Sequence, residues 1–312
     1  MKTITDLNEL LIEEETAVAL GNFDGLHVGH KVILEDAVNS AAENGCKSLC
    51  FTFSNHPFNF IMNRDVEDED ALKYILTEEE KIKHIEEMGF DYLVNVPFDE
   101  KMMKMSAEDF FNDILLASLN ASIISVGFNY TYGARAVGTA ETLYREGENT
   151  GIEVHVHDAV KLYHEVVSST LIRETIAEAD MEMVSALLGR DYYISGEVVR
   201  GNSVGRSEGF PTINIKVPVE QIIPPKGVYF GNTIINGESY RCIINLGNKP
   251  TFGQNDLGIE AHLFDFDKDV YGETACVCLK HFIRHEKKFD SVDSLYKQIL
   301  MDCELAKNFE KA

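Results

Sequence analysis

The residues whose types and spacing most clearly indicate chemistry are the glycines and histidines of GNFDGLHVGH, residues 21–30. Gly21 and Gly25 let the backbone turn tightly and approach a ligand closely. His27 and His30 are three residues apart at the start of a predicted helix, so they share one face. A helix N-terminus also presents unsatisfied N–H groups to anions. We therefore predict a phosphate site, in which both imidazoles stabilise charge developing on a phosphoryl oxygen.

A second concentration of chemically useful residues is GNSVGRSEGFPTIN, residues 201–214. Its glycines allow backbone N–H groups to approach a phosphate closely. Thr212 and Asn214 are two residues apart, so in an extended chain their side chains point to the same face. Both side chains offer the oxygen ligands that Mg²⁺ prefers beside nucleotide phosphates. This segment therefore predicts a second phosphate site, with Thr212 and Asn214 binding the metal.

The elements that must position the first segment alternate between strands and helices. Such alternation predicts an α/β fold with a parallel sheet, in which ligands bind beyond the carboxyl ends of the strands. The predicted strands are 17–20, 48–53, 92–96, 122–127 and 152–156, and the predicted helices are 30–44, 77–89, 106–119 and 139–148. Thr77 with Glu80 and Ser106 with Asp109 are typical of helix N-termini.

The second half of the chain has a different pattern. After short helices at 170–188, strand-like runs separated by turn residues predict an antiparallel barrel or sandwich, closed by a helix at 291–309. Asn236-Gly237 lies between two β-rich runs, which is typical of a hairpin turn. We place the domain boundary between residues 185 and 186.

Charge divides the chain at the same place. The net charge is −24, and residues 1–185 hold 13 Lys and Arg against 35 Asp and Glu, which is −22. The remaining residues contribute 15 against 17, which is −2. An acidic surface repels nucleic-acid phosphate, so we expect no nucleic-acid partner. Without a membrane-length apolar run or a basic N-terminal signal, we expect a cytoplasmic protein that binds no membrane.

GNFDGLHVGH resembles the signature of nucleotidyltransferases, specifically of the bacterial bifunctional riboflavin kinase/FAD synthetase family. Three later segments resemble that family in the same order: FTFSNHPF (51–58), VGFNYTYGARAVGT (126–139) and SSTLIR (168–173). The resemblance implies a Rossmann-like domain in which histidines hold ATP while the FMN phosphate attacks the α-phosphorus and pyrophosphate leaves. It implies that His27 and His30 are catalytic, and that the binding positions are Gly21, Phe23, Asp24, Gly25, Asn55, His56, Pro57, Asn129, Ser168, Ser169, Thr170 and Arg173.

The segment 201–214 resembles the riboflavin kinase signature of the same family, and EAHLFDF (260–266) resembles the segment that carries its base. The resemblance implies an antiparallel Greek-key β-barrel with a terminal helix. It also implies that Glu260 accepts the proton of the ribityl 5′-hydroxyl, that Thr212 and Asn214 bind Mg²⁺, and that Arg284 contacts flavin or nucleotide. The further binding positions it implies are Gly201, Gly205, Arg206, Gly209 and Pro211.

The leading hypothesis is therefore a bifunctional enzyme, with FMN adenylyltransferase in 1–185 and riboflavin kinase in 186–312. Its implied ligands are riboflavin, FMN, FAD, ATP, ADP, pyrophosphate and Mg²⁺. Three alternatives stay open. One domain alone could be active, the scaffold could serve a flavin-binding regulatory protein, or the histidine loop could adenylylate another acceptor, which would leave the second half unexplained.

Overall fold

The structure is a computed structural model that describes residues 1–68, 70–200, 212–248 and 257–308. The chain divides into two compact units, Met1–Ser169 and Thr170–Ala312. The boundary expected between residues 185 and 186 lies later in the chain than this division and stays a prediction.

The first unit is built on a six-stranded sheet with the order β1-β4-β3-β2-β5-β8, and every neighbouring pair is parallel. The strands of this unit are β1 (Lys2–Ile4), β2 (Thr16–Leu20), β3 (Lys47–Phe53), β4 (Tyr92–Val96), β5 (Ala121–Gly127), β6 (Thr131–Tyr132), β7 (Gly138–Thr139), β8 (Glu153–His157), β9 (Lys161–Leu162) and β10 (Glu165–Val166). The predicted parallel sheet and its five strands are confirmed. The edge strand β1 was not predicted, because three residues are too few to show a periodicity.

Helices connect these strands. They are α1 (Val28–Asn44), α2 (Pro57–Ile61), α3 (Glu78–Glu87), α4 (Glu100–Lys104), α5 (Ala107–Asp109) and α6 (Ala140–Thr150), with a π-helix at Phe110–Ser118 and 3₁₀-helices at Leu7–Glu9 and Ala134–Ala136. Both predicted caps are confirmed: Thr77 and Glu80 form a reciprocal capping box, and the Ser106 hydroxyl accepts from Asp109 N–H at 2.9 Å.

The sheet determines where a ligand could bind. All five residues of β2 are buried, as expected for an inner strand of a parallel sheet covered on both faces. From β2 the chain passes through α1 to β3 on one side, whereas β5 pairs with β2 on the other. The strand order therefore reverses beside β2. In open parallel sheets, ligands usually bind at such a reversal, in the crevice beyond the carboxyl ends of the strands.

The second unit is a closed antiparallel barrel with the order β11-β12-β15-β14-β13-β16. Its elements, with α7 crossing the division, are α7 (Ser169–Ala177), α8 (Met181–Leu188), β11 (Tyr192–Val199), β12 (Thr212–Lys216), β13 (Gly227–Ile235), β14 (Glu238–Asn248), β15 (Leu257–Leu263), β16 (Thr274–His285) and α9 (Val292–Asn308). Strands β13, β14 and β15 follow one another, and β16 returns beside β13. This arrangement confirms the Greek-key barrel with its terminal helix.

The barrel strands present alternating faces. Tyr229 and Ile244 are fully buried, whereas Val228, Phe230 and Ile243 form a cluster that includes Ala306 of α9. The helix therefore covers the outer face of β13 and β14. The predicted hairpin is also confirmed, because Ile235 pairs with Glu238 across Asn236-Gly237, whose φ angles are +50° and +80°.

Candidate active sites

The loop between β2 and α1 has an unusual backbone. Phe23, Gly25 and Leu26 have φ angles of +50°, +83° and +44°. A Cβ on Gly25 would lie 3.0 Å from two carbon atoms of Ile75, and one on Gly21 would lie 2.8 Å from the Phe23 ring. Both glycines are therefore needed for close packing, as the sequence indicated, and Gly25 is needed for its positive φ as well.

His27 forms the N-cap of α1. Its Nδ1 accepts a hydrogen bond from His30 N–H at 3.2 Å, and the helix begins at Val28. The predicted start at residue 30 was wrong because His27 supplies the capping acceptor that Ser, Thr, Asp or Asn usually supplies. An accepting Nδ1 carries no proton, so neutral His27 holds its proton on Nε2. His27 therefore offers a potential Nε2–H donor beside the helix N-terminus.

His30 stacks on His27, with ring centroids 3.5 Å apart and an interplanar angle of 17°. The edge of Phe23 meets the His30 ring at 5.4 Å. Burial, followed by the influence of His27 and Lys81, lowers the pKa of His30 well below its usual value, so the ring is neutral near pH 7. Within the described ranges, its buried Nδ1 has no hydrogen-bond partner. A buried ring nitrogen without a partner is a polar atom that a bound ligand can satisfy.

Asp24 and Ser169 meet at this loop although they are far apart in sequence. The Ser169 hydroxyl donates to the Asp24 carbonyl at 2.9 Å, and Asp24 Oδ1 accepts from Ile75 N–H at 3.0 Å. The structure thus brings Ser169, the first residue of α7, to the histidine loop. Of the other predicted residues in that motif, Ser168 and Arg173 are half-buried and Thr170 is exposed.

A cleft opens beyond the carboxyl ends of β2 and β3. Its volume is about 330 Å³, including the solvent at its mouth. The residues that line it are Asn22, Asp24, Phe53, Asn55, His56, Pro57, Tyr74, Leu76, Glu78 and Lys81. Four predicted binding residues, Asp24, Asn55, His56 and Pro57, therefore lie in one concave surface whose walls are partly aromatic and apolar.

Two of these residues build the wall of the cleft. The Asn55 amide donates to the Phe98 carbonyl at 3.1 Å and accepts from Phe98 N–H at 2.6 Å, which ties the chain after β3 to the chain after β4. His56 Nδ1 accepts from Phe58 N–H at 3.2 Å and so caps α2, while Pro57 takes its first position. These bonds hold the backbone of the cleft wall in place.

Lys81 of α3 is one of the six residues lining the cleft to which the sequence analysis assigned no role. Its side chain is buried, and its Nζ donates to the Phe53 carbonyl at 2.6 Å. Burial is the main factor that lowers the pKa of this lysine from its usual value of 10.5. A lysine in a charged helical segment ordinarily faces solvent, so no local signal identifies it.

Asn129 lies in the exposed turn after β5 and does not line the cleft. Because β5 pairs with β2, this turn lies at the same edge of the sheet as the histidine loop. Tyr130 and Tyr132 stack with centroids 5.9 Å apart, and the Tyr132 hydroxyl donates to Glu146 at 3.0 Å. Burial is the main cause that raises the pKa of Tyr132 to about 12, so both rings act as neutral packing groups.

In the barrel, the predicted base and metal ligands lie side by side. The Thr212 hydroxyl donates to Glu260 Oε1 at 3.1 Å, and the buried Asn214 of β12 pairs directly with Glu260 of β15. Antiparallel pairing places these three side chains on one face, although Glu260 lies 46 and 48 positions after Asn214 and Thr212 in the chain. Gly201, Gly205, Arg206, Gly209 and Pro211 lie outside the described residues.

Asn245 of β14 extends this row. It pairs with Glu260 from the side opposite Asn214, and its Oδ1 is a buried atom without a hydrogen-bond partner among the described residues. Two amides thus flank the carboxylate. The sequence analysis assigned Asn245 no role, since only strand pairing reveals its neighbour.

Arg284 of β16 pairs with a carboxylate of the terminal helix. Its guanidinium donates to the buried Asp302 at 2.7 Å from Nη2 and 3.2 Å from Nε. This arrangement ties α9 to the barrel. The expected contact of Arg284 with flavin or nucleotide stays a prediction.

Comparisons with known proteins identify the family of each half of the chain. The family model for FAD synthetase matches residues 10–171, and the model for riboflavin kinase matches residues 188–310. A bifunctional riboflavin kinase/FMN adenylyltransferase from Bacillus subtilis is 35% identical over 309 residues, which cover 97% of this chain and 96% of the relative. Enzymes of the same description from Haemophilus influenzae and Escherichia coli K12 are 33% and 30% identical, over 94% and 99% of this chain and 94% and 98% of their own lengths.

A crystal structure of a protein described as a macrolide-efflux protein, from Streptococcus pneumoniae, superposes with a TM-score of 0.87 and 30% identity over 98% of both chains. Within the described residues, no helix is both long enough and apolar enough to cross a membrane. Both family models match in the expected order, and the relatives are similar over nearly their whole lengths. The chain belongs to the bifunctional riboflavin kinase/FMN adenylyltransferase family.

Proposed function

We propose that this chain phosphorylates riboflavin to FMN with one ATP and adenylylates FMN to FAD with a second. The observation that carries the proposal is that each unit holds one set of converging polar groups suited to one step. The first has the stacked histidines at the N-terminus of α1, and the second has Glu260 hydrogen-bonded by Thr212.

In the adenylylation site, His27 and His30 act on the ATP phosphates. The Nε2–H of His27 and the N-terminal amides of α1 donate to the α-phosphate oxygens as negative charge develops there. An oxygen of the FMN phosphate forms the new bond to the α-phosphorus, the bond to the bridging oxygen breaks, and pyrophosphate leaves. The aromatic and apolar residues Phe53, Tyr74 and Leu76 give the cleft walls that suit a flavin ring.

In the kinase site, Glu260 acts as the general base. Its carboxylate accepts the proton of the ribityl 5′-hydroxyl, whose oxygen attacks the γ-phosphorus of ATP while ADP leaves. The Thr212 hydroxyl positions this carboxylate through the 3.1 Å hydrogen bond. Asn214 and Asn245 flank it on the neighbouring strands.

The same residues fit Mg²⁺. The Thr212 hydroxyl and the Asn214 amide supply oxygen ligands, and the unpartnered Oδ1 of Asn245 adds a third oxygen at this face. We infer that Thr212 and Asn214 hold the ion together with ATP oxygens. When bound, Mg²⁺ would neutralise charge on the transferring phosphate.

The proposal is tested by incubating the whole chain with riboflavin, ATP and Mg²⁺ and separating the flavins over time. FMN should appear first and FAD second. Glu260→Gln should remove FMN formation and leave the conversion of supplied FMN to FAD, whereas His30→Ala should do the reverse. Failure of one step in the unaltered protein would favour a single active domain, and failure of both would favour a binding protein. Loss of both activities from a folded single variant would contradict the two-site assignment.

Two accompanying expectations stay predictions: a cytoplasmic location, and the absence of a nucleic-acid partner. The second follows from the charge of −22 over residues 1–185, which disfavours polyanions. It can be checked by measuring DNA and RNA binding at low salt.

A further inference from the structure

We propose that Lys81 binds the phosphate group of FMN and so selects the phosphorylated flavin for adenylylation. This inference rests on the proposed function of the first unit. It assigns a positioning and specificity role to a residue of α3 that none of the motifs contains.

The first support is the way Lys81 is bonded. The side chain is 8% exposed, and its ammonium donates to the Phe53 carbonyl at 2.6 Å and approaches the Thr52 hydroxyl at 3.5 Å. An ammonium has three donors, and these two neutral acceptors occupy at most two of them. The third donor is available to a ligand in the cleft, which Lys81 lines.

The second support is the absence of a direct ion pair to Lys81. Among the described residues no carboxylate lies within ion-pair distance, 4.0 Å, of Lys81 Nζ, although Asp24 and Glu78 are near enough to favour its charged form. Burying an ammonium without an ion-pair partner is costly, and a purely packing role would favour a methionine of similar length. An anionic ligand in the cleft would form that direct ion pair.

The third support is the position of Lys81 close to the histidine loop. The Thr52 hydroxyl, beside Lys81, donates to the Asn22 carbonyl at 3.0 Å in the loop that carries the histidines. Lys81 is also one of the charges that lower the pKa of His30. The ammonium therefore lies between the end of β3 and the residues proposed to handle phosphate.

The fourth support is the charge of the cleft itself. Asp24 and Glu78 line it as well, and Lys81 is its one Lys or Arg among the described lining residues. Asp24 and Glu78 would repel a phosphate dianion, in a part of the chain whose net charge is already −22. Lys81 offsets part of that repulsion within the cleft.

The test compares Lys81→Met with Lys83→Met, which removes an exposed lysine from the same helix. FAD formation is measured over a range of FMN concentrations at saturating ATP and again over a range of ATP concentrations. Losing one charge-assisted hydrogen bond should raise the KM for FMN about 10- to 100-fold. The KM for ATP should change less than about threefold, and Lys83→Met should match the unaltered protein in both values. Lys81→Arg should restore most of the affinity for FMN, because it keeps the charge.

Lumiflavin distinguishes the phosphate from the ring, since it has the isoalloxazine ring without ribityl or phosphate. Its inhibition constant against FMN should be the same in Lys81→Met and the unaltered chain. Equal weakening of lumiflavin and FMN would overturn the assignment, as would an unchanged KM for FMN. A fall in kcat without a change in KM, or a loss that Lys81→Arg does not rescue, would indicate a structural lysine and overturn it too. If the unaltered chain made no FAD from FMN, the proposed function itself would fail, whatever the variant did.

Discussion

Substituting Gly25 by alanine tests whether the shape of the histidine loop depends on one close contact. Gly25 has φ +83°, and an added Cβ would lie 3.0 Å from Cδ1 and Cγ2 of Ile75 and 3.1 Å from its Cβ. Ile75 is fully buried, and its N–H is held by Asp24 Oδ1. The isoleucine therefore has little freedom to move away, and the loop must shift.

The expected cost has two parts. An L-residue at this φ costs about 1–2 kcal/mol, and forcing a methyl group into a packed site costs about 1–3 kcal/mol more. Gly25→Ala should thus lower the free energy of unfolding of the first unit by about 2–5 kcal/mol. Gly45→Ala is the matched control, because Gly45 has φ +70° with nothing within 4 Å of the added Cβ. It should lose only the first part.

The assay is urea unfolding followed by circular dichroism, combined with the rates of FMN and FAD formation. Because a displacement of about 1 Å at a reacting group can cost about 100-fold in rate, Gly25→Ala should slow FAD formation strongly and leave FMN formation intact. In a double variant, Ile75→Val removes Cδ1, one of the atoms that the new methyl group meets. The stability loss of Gly25→Ala with Ile75→Val should therefore be smaller than the sum of the losses of the two single variants. Equal losses of stability in Gly25→Ala and Gly45→Ala would refute the contact with Ile75 as the cause.

Three further outcomes are expected. Thr212→Val keeps the side-chain shape but removes the donor to Glu260, so FMN formation should fall by about tenfold or more while supplied FMN is still converted to FAD; an unchanged rate would contradict the positioning role. Asp302→Asn removes the charge partner of Arg284, and thermal melting should show a loss of about 3–5 kcal/mol; a loss below 1 kcal/mol would show that the pair does not hold α9. The pKa of His30 is lower in the folded chain than in the unfolded chain, where it is about 6.5. Titration of His30 therefore leaves the folded chain at full stability above pH 6.5 and lowers its stability as the pH falls from there toward the folded pKa. Urea midpoints at pH 5.5 and 7.5 should therefore differ less in His30→Asn than in the unaltered chain, and an equal difference would contradict the lowered pKa.

Much of the fold follows from local sequence. Periodicity located the inner strands of the parallel sheet, because a strand covered on both faces reads as an apolar run. Thr77 with Glu80 and Asn236-Gly237 were recognised because a cap or a hairpin turn needs only a few adjacent residues. The order of the motifs along the chain indicated the family before any contact was known.

Local sequence rules were wrong where a residue occupied a position that another residue type usually takes. His27 caps α1 through its ring nitrogen, so the helix begins two residues earlier than predicted. Such a cap cannot be read from helix preferences, which reserve the position for Ser, Thr, Asp and Asn.

Only the tertiary structure decided which residues share a site. Register on the barrel places Asn214 and Asn245 on either side of Glu260, and packing on the sheet buries Lys81 at the cleft of the histidine loop. Each arrangement joins residues that are far apart in the chain. Their proximity depends on how strands pair and helices pack, and no pattern within one segment encodes it. The sequence by itself determined the residue types and the order of the motifs; the fold determined their neighbours, and with them the charges and hydrogen bonds on which the chemistry depends.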